Sequence, residues 1–113
     1  MNDAFISYLL EMLQEFGRFE AKAMFGGYGV YRDDLMFALV TDDTLYIKVD
    51  DETRSLFEEK ELPRFSYRKK GKVQTMSYYQ APEEAIDNAD ALEYWASLGY
   101  QAALRAKGNS TKS

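Results

Sequence analysis

The side chains that most often carry out chemistry in proteins are largely missing from this chain. Its 113 residues include no cysteine and no histidine, which excludes disulfides, thiol nucleophiles and thiolate metal sites. A serine nucleophile also lacks its usual general base, so Ser77 has no acid–base partner of that kind. The sequence therefore predicts a protein that is not an enzyme and has no catalytic residue, metal or cofactor.

Carboxylates are the reactive groups that remain, and they occur in three clusters: Asp33-Asp34, Asp42-Asp43 and Asp50-Asp51-Glu52. They are candidates for a divalent cation, but adjacent carboxylates point in different directions on a turn and no calcium-loop spacing is present. We favour solvated turns for the first two clusters and a helix cap for the third. A carboxylate pair of the glycosidase kind stays open, although nothing in the sequence selects one.

A glycine-rich segment at residues 24–29, Met-Phe-Gly-Gly-Tyr-Gly, is the next candidate. Glycines permit close backbone approach to a phosphate, but the Gly-Lys-Ser/Thr of a P-loop is lacking. A structural bend that positions Phe25 and Tyr28 is the favoured interpretation. The alternative is a small-ligand pocket lined by Phe25, Tyr28, Tyr46 and Lys48.

Positive charge concentrates in one predicted hairpin of an otherwise acidic chain, whose net charge is −5 and pI about 4.7. This hairpin is a candidate contact for nucleic acid, although its lysines also discourage edge-to-edge pairing of strands. The acidic balance disfavours a binder of duplex DNA. The candidate residues are Arg64, Arg68, Lys69, Lys70 and Lys72.

Adjacent tyrosines predict a surface of a different kind, because neighbouring residues of a strand point to opposite faces. One of Tyr78 and Tyr79 belongs to the core, and the other, with Tyr46 or Tyr31, forms an exposed aromatic surface suited to a protein interface. A homodimer is a further candidate. The predicted interaction surface comprises Phe25, Tyr28, Tyr46, Lys48, Tyr78 and Tyr79.

Hydrophobic periodicity predicts the elements in the first half of the chain. Apolar residues from Phe5 to Phe16 recur at spacings of three and four, which indicates a helix that Gly17 ends. The strand-rich stretch 19–49 predicts a three-stranded antiparallel meander. Its segment 35–40 is apolar at every position, so we expect both faces of that strand to be covered.

A short helix capped by Asp50 or Asp51, a second hairpin over 65–79 and a turn of helix at Pro82 follow. A long helix then runs from Asp87 or Asn88 to about residue 106, and Gly108 is expected to stop it. The fold class is α+β in the order α-β3-α-β2-α, with helices packed on one antiparallel sheet. One domain covers 1–107, followed by a disordered tail over 108–113. The packing stripe of the long helix is Leu92, Trp95, Ala96, Gly99, Ala102 and Ala103.

The location of the protein follows from what the chain lacks. No apolar run approaches the ~20 residues of a membrane helix, and the acidic start is unlike a signal peptide. We therefore expect a cytoplasmic protein without a membrane partner.

An ordered series of segments resembles the N-terminal domain of the TfoX/Sxy family of bacterial competence regulators. The glycine-rich motif is the most distinctive part, and the series extends over nearly the whole chain. The matching segments are residues 23–31, 36–40, 45–50, 76–79, 82–84, 95–96 and 100–106.

The resemblance implies a fold similar to secretion-chaperone-like and YjbR-like domains. Full-length members of this family promote transcription of DNA-uptake genes together with the cyclic-AMP receptor protein, and they carry a C-terminal helical domain that this sequence does not include. The family pattern supplies no catalytic or metal residues. The expected function is a regulatory interaction domain that acts on transcription through a protein partner, with direct nucleic-acid binding as the alternative.

Overall fold

The computed structural model describes residues 3–24, 27–69 and 71–111. A single turn of 3-10 helix at Gln14–Phe16 extends the first helix. In chain order the elements are α1 (Asp3–Leu13), β1 (Glu20–Met24), β2 (Gly27–Arg32), β3 (Leu35–Thr41), β4 (Thr44–Lys48), α2 (Arg54–Glu58), β5 (Arg64–Lys69), β6 (Lys72–Gln80), α3 (Glu83–Asp87) and α4 (Ala89–Thr111).

The strands form one antiparallel sheet of six in the order β1-β2-β3-β4-β6-β5. The α+β class is confirmed, but four strands precede α2 where the sequence predicted three. The glycine-rich segment includes the end of β1 at Met24 and the start of β2 at Gly27, and these two strands pair with each other from Glu20 to Tyr31. Gly27 is needed for close packing there, since a Cβ atom at this position would lie 2.1 Å from the carbonyl oxygen of Val40.

Two acidic pairs form the tight turns of the meander, as predicted. Asp33-Asp34 joins β2 to β3, and Asp42-Asp43 joins β3 to β4. All four residues have φ between 52° and 66°. Two-residue hairpin loops with positive φ at both positions are typical of type I′ turns, in which aspartate is tolerated.

A bulge in β3 changes which residues face the helices. The register between β2 and β3 shifts after Val30, so that Phe37 is an additional residue of β3 opposite β2. A bulge changes the direction in which the additional side chain points. Phe37 therefore lies in the same core as its neighbour Ala38, and its ring packs edge-on against that of Phe19 with 5.7 Å between the ring centres. Leu39 is buried but lies on the opposite face. Most side chains of the apolar segment 35–40 therefore point toward the helices.

The helices pack on one face of the sheet, and α4 lies closest to it. A Cβ atom on Gly99 would lie 2.7 Å from both the Ile47 side chain and the Phe37 carbonyl oxygen. The predicted packing stripe of α4 is confirmed, since all its members are buried. Asn88 caps the helix by accepting a hydrogen bond from the Ala91 amide at 3.0 Å.

The C-terminal end of α4 differs from the prediction. Gly108 does not stop the helix, which continues to Thr111. A glycine inside a helix costs only about 1 kcal/mol relative to alanine, and a Cβ atom at Gly108 would have open space around it. Among the helices of the described residues, none is long and apolar enough to cross a membrane.

Candidate interaction surface

The sheet face opposite the helices carries a ladder of aromatic and basic side chains. Cross-strand register places Leu39 opposite Tyr46, and Lys48 opposite Tyr78. These residues alternate with core residues such as Ile47, so they point away from the helices. We call this surface the open face: Lys22, Tyr31, Met36, Leu39, Tyr46, Lys48, Phe65 and Tyr78, with the exposed Glu20 opposite Tyr31 at its edge.

Ammonium groups and aromatic rings are paired across this face. The Lys22 Nζ atom lies 4.6 Å from the centre of the Tyr31 ring, and the Lys48 Nζ atom lies 5.4 Å from that of Tyr78. Both distances are within the range of cation–π attraction. The rings of Tyr46 and Phe65 meet edge-on at 4.8 Å. Leu39 and Tyr78 are buried, so the apolar area that this face offers comes from half-buried side chains such as Tyr31, Tyr46 and Phe65. Positive charge is held beside it.

The phenols of the open face are suited to binding rather than to proton transfer. Burial, with a smaller contribution from Tyr31, raises the pKa of Tyr78 to about 12. Burial and the nearby Asp42 carboxylate raise the pKa of Tyr46. Both phenols are therefore neutral at physiological pH, outside the range that a general base would need.

The structure divides the predicted interaction surface between the two faces of the sheet. Tyr79 lies on the helix face, where its ring packs near Phe57 and its hydroxyl donates a hydrogen bond to Glu58 at 2.8 Å. This hydrogen bond is the main cause of the raised pKa of Tyr79. Tyr28 also packs against the core. Of the predicted set, Tyr46, Lys48 and Tyr78 remain together, while Phe25 lies outside the described residues.

This division contradicts the small-ligand pocket predicted from the sequence. Tyr28 pairs with Val40 on the core side, whereas Tyr46 and Lys48 point to the open face. The sheet separates them, so they line no common cavity. The sequence also predicted that one of Tyr78 and Tyr79 is exposed. This is wrong, because Tyr79 lies on the helix face and Tyr78, on the open face, is only 4% exposed.

The predicted hairpin that carries the basic residues is confirmed, since β5 and β6 pair with each other from Arg64 to Lys69. Arg64 is exposed at the start of β5. The side chains of Arg68, Lys69 and Lys72, and the whole of Lys70, lie outside the part of the chain that the structure describes. The proposed nucleic-acid contact through this hairpin stays a prediction.

The third acidic cluster holds two elements together. Asp50 accepts a hydrogen bond from the Glu52 amide at 3.1 Å before α2 begins. The N-cap residue of α2 is Thr53, without a side-chain capping hydrogen bond, so the predicted cap by Asp50 or Asp51 is wrong. Its carboxylate also binds Arg105 of α4 through two hydrogen bonds of 2.5 and 2.9 Å, and Glu52 approaches the same guanidinium at 3.0 Å. The Arg105 hydrogen bond is the largest cause of the lowered pKa of Asp50. Within the described ranges, no group of three acidic residues is arranged to hold a metal ion.

Sequence reasoning missed several members of the open face. Lys22 could not be assigned to it because β1 was not recognised as a separate strand. Phe65 joins it only through the long-range pairing of β4 with β6 and of β6 with β5. Alternation along β4 was the available signal, and it correctly grouped Tyr46 with Lys48.

Comparisons with known proteins identify the family. The family model for the TfoX N-terminal domain matches residues 11–103. DNA transformation protein TfoX1 of Aliivibrio fischeri (strain ATCC 700601 / ES114) is 39% identical over 71 residues, which make up 63% of this chain and 34% of that protein. Protein Sxy of Escherichia coli (strain K12) is 29% identical over 97 residues, or 86% of this chain and 46% of that protein. The chain spans less than half the length of either relative. The family model covers most of the chain, and the chain therefore belongs to the TfoX N-terminal domain family.

Proposed function

We propose that this chain is a non-enzymatic regulatory domain of DNA uptake, which acts on transcription through a protein partner bound at the open face. The observation that carries the proposal is the apolar and basic character of that face on the side of the sheet away from the helices. Membership of a family that includes a DNA transformation protein supplies the biological setting.

The chemistry of the open face specifies the kind of partner. Half-buried rings such as Tyr46 and Phe65 gain free energy when a partner removes them from water. Lys22 and Lys48 favour carboxylates around the patch that meets them. The partner surface is therefore apolar at its centre and acidic at its rim.

The size of the sheet indicates a transient contact. Six strands spaced about 4.8 Å apart and about 20 Å long give a projected area of roughly 500 Å². This area is at the low end for specific protein interfaces. A domain that binds and releases its partner during regulation fits such a contact.

Transcription of a DNA-uptake gene is the readout that tests the function. The gene for this chain would be deleted and replaced by wild type or by a variant with Tyr46→Ala and Phe65→Ala, in a strain that carries a promoter reporter. Deletion should lower the reporter signal, wild type should restore it, and the double variant should not. Leu104→Ala is the matched control, because Leu104 is an exposed apolar residue on α4.

The outcomes separate the function from the surface. A reporter signal that is unchanged by the deletion would contradict the regulatory role. A signal that the double variant restores would show that the open face is not required for it. Lys22→Glu with Lys48→Glu is the second test, because it keeps the rings and reverses the charge. Circular dichroism melts would show that each variant folds.

Direct nucleic-acid binding is the second candidate, because the hairpin with the basic run starts beside Phe65 of the open face. Fluorescence anisotropy with labelled single-stranded and duplex DNA, over a salt series, tests it. This candidate requires affinity that falls with salt and falls again when Arg68, Lys69 and Lys70 are changed to Glu. Binding that is absent or independent of salt would reject it.

A further inference from the structure

A groove on the helical side of the molecule is separate from the open face. It has a volume of about 620 Å³ and lies between α2, α3 and the first turns of α4. Its walls come from two parts of the chain that meet only in the folded protein. The lining residues are Leu56, Glu59, Lys60, Glu84, Asp90, Ala91, Tyr94 and Trp95, and we call it the acidic groove.

The floor of the acidic groove is aromatic. The Trp95 ring packs edge-on against Phe57 at 5.0 Å and against Tyr94 at 5.4 Å. Trp95 is buried, but Tyr94 is 49% exposed and is one of few large apolar side chains that the described surface presents to water. An exposed tyrosine beside a buried tryptophan provides a rigid apolar contact, as in the centre of many interfaces.

The lining of the acidic groove carries a net negative charge. Its lining contains three carboxylates and one ammonium group, and that ammonium group, Lys60, lies 3.3 Å from Glu84. The lining of the groove therefore has a formal charge of −2.

We propose that the acidic groove binds a basic peptide segment of a partner protein, in which lysines or arginines flank an aliphatic or aromatic anchor. The anchor occupies the floor beside Tyr94 and Trp95. Flanking cations reach Glu59 and Asp90, and their alkyl stems cover apolar area. A guanidinium can also stack on the exposed ring of Tyr94.

Charge complementarity selects this occupant. Nucleic acid and anionic lipid are repelled by the rim, and an acidic peptide would place like charges together. The inference does not depend on the proposed function, since it concerns a different surface and a partner segment of opposite charge.

The fluorescence of Trp95 gives a direct test, because it is the single tryptophan of the chain. The probe is a short acetylated peptide with leucines among lysines and arginines and no aromatic residue. We expect a saturable change in Trp95 emission whose affinity weakens as salt is raised. The same peptide with glutamates in place of the basic residues should give no such change.

Matched variants locate the binding. Glu59→Gln and Asp90→Asn should each weaken binding of the basic peptide roughly threefold, as expected for exposed ion pairs. Glu11→Gln and Glu15→Gln, on the exposed surface of the first helix and its 3-10 turn, are controls that should leave the affinity unchanged. Backbone amide shifts in ¹⁵N spectra should change at Leu56, Ala91 and Tyr94, and not at Tyr46.

Four results would overturn the inference: absence of any binding by the basic peptide, equal affinity for the acidic peptide, equal weakening by the control variants, and amide shifts confined to the open face.

Discussion

The open face and the acidic groove both present aromatic side chains, but they differ in charge and in origin. Lysines lie beside the rings of the open face, whereas carboxylates surround Tyr94 and Trp95. The open face is built from strands across the whole sheet, and the groove from three helices. The sheet and its helix layer keep the two surfaces apart, so one small domain presents two aromatic surfaces that differ in charge.

Lifting α4 off the sheet would destroy both surfaces at once and has the largest expected effect. Gly99→Leu places a side chain where even a Cβ atom would lie 2.7 Å from Ile47 and from the Phe37 carbonyl oxygen. We expect a loss of about 3 kcal/mol in the free energy of unfolding, as for severe overpacking. Urea denaturation measures it.

Gly108→Leu is the matched control for this substitution, because it lies in the same helix with open space around it. Its effect should be within about 0.5 kcal/mol, or slightly stabilising. Equal effects at the two positions would contradict the close contact between α4 and the sheet.

Breaking the contact between Asp50 and Arg105 should lower the free energy of unfolding, because this pair ties α4 to the segment that leads into α2. Asp50→Asn should cost about 1–3 kcal/mol at pH 7, as expected for charge-assisted hydrogen bonds. Asp51→Asn is the control, since the Asp51 ion pair with Arg54 is exposed and should contribute little.

The stabilisation by Asp50 should also depend on pH. The pKa of Asp50 is lowered in the folded protein, so its contribution is present above the unfolded value near 4 and is lost as pH falls through the lowered pKa. The difference between wild type and Asp50→Asn in urea denaturation should therefore shrink at pH values below 4. A difference that stays constant down to acid pH would contradict the paired carboxylate.

The fold could be predicted where neighbours in sequence decide the structure. The Asp-Asp turns and the Asn88 cap act within a few positions of themselves, and the spacing of small and apolar residues along α4 marks the stripe that packs. These features gave the α+β class and the helix layer. They also placed Trp95 in the core, although its role at the floor of a groove was not evident.

The open face was predicted only in part, because its membership depends on the number of strands and on their order. The β1 strand is short and of mixed polarity, and pairing with β2 gives it its strand conformation. Because β1 was not predicted as a separate strand, the position of Lys22 beside Tyr31 could not be predicted either. The pocket hypothesis failed for the same kind of reason, since nothing local shows that Tyr28 and Tyr46 lie on opposite faces.

Titration of Tyr78 tests the burial of a tyrosine on the open face, and its effect on stability should be smaller than that of Asp50. Its raised pKa, about 12 against the usual 10.0, means that the fold favours the neutral phenol. This stabilisation is present below pH 10 and is lost as pH rises toward 12. Absorbance at alkaline pH should show a late tyrosine ionisation that disappears in Tyr78→Phe. Loss of an ionisation near pH 10 in that variant would show that the face is more hydrated than the structure indicates.

Neutralising the rim of the groove should have the smallest effect on stability. The double change Glu59→Gln and Asp90→Asn should alter the free energy of unfolding by less than about 0.5 kcal/mol. It should leave transcription of the reporter, which we assign to the open face, unchanged. Thermal denaturation and the reporter strain measure both. A loss of reporter activity equal to that of the open-face variants would show that the two surfaces do not act separately.

Photo-crosslinking inside the cell tests the central claim most directly, namely that a protein partner of transcription binds the open face. A photoreactive phenylalanine analogue would replace Tyr46 in one strain and Leu104 in a control strain, and the adducts would be identified by mass spectrometry. We predict that Tyr46 captures one defined component of the transcription machinery while Leu104 does not. Capture of only nucleic acid at Tyr46, or the same proteins at both positions, would contradict the account.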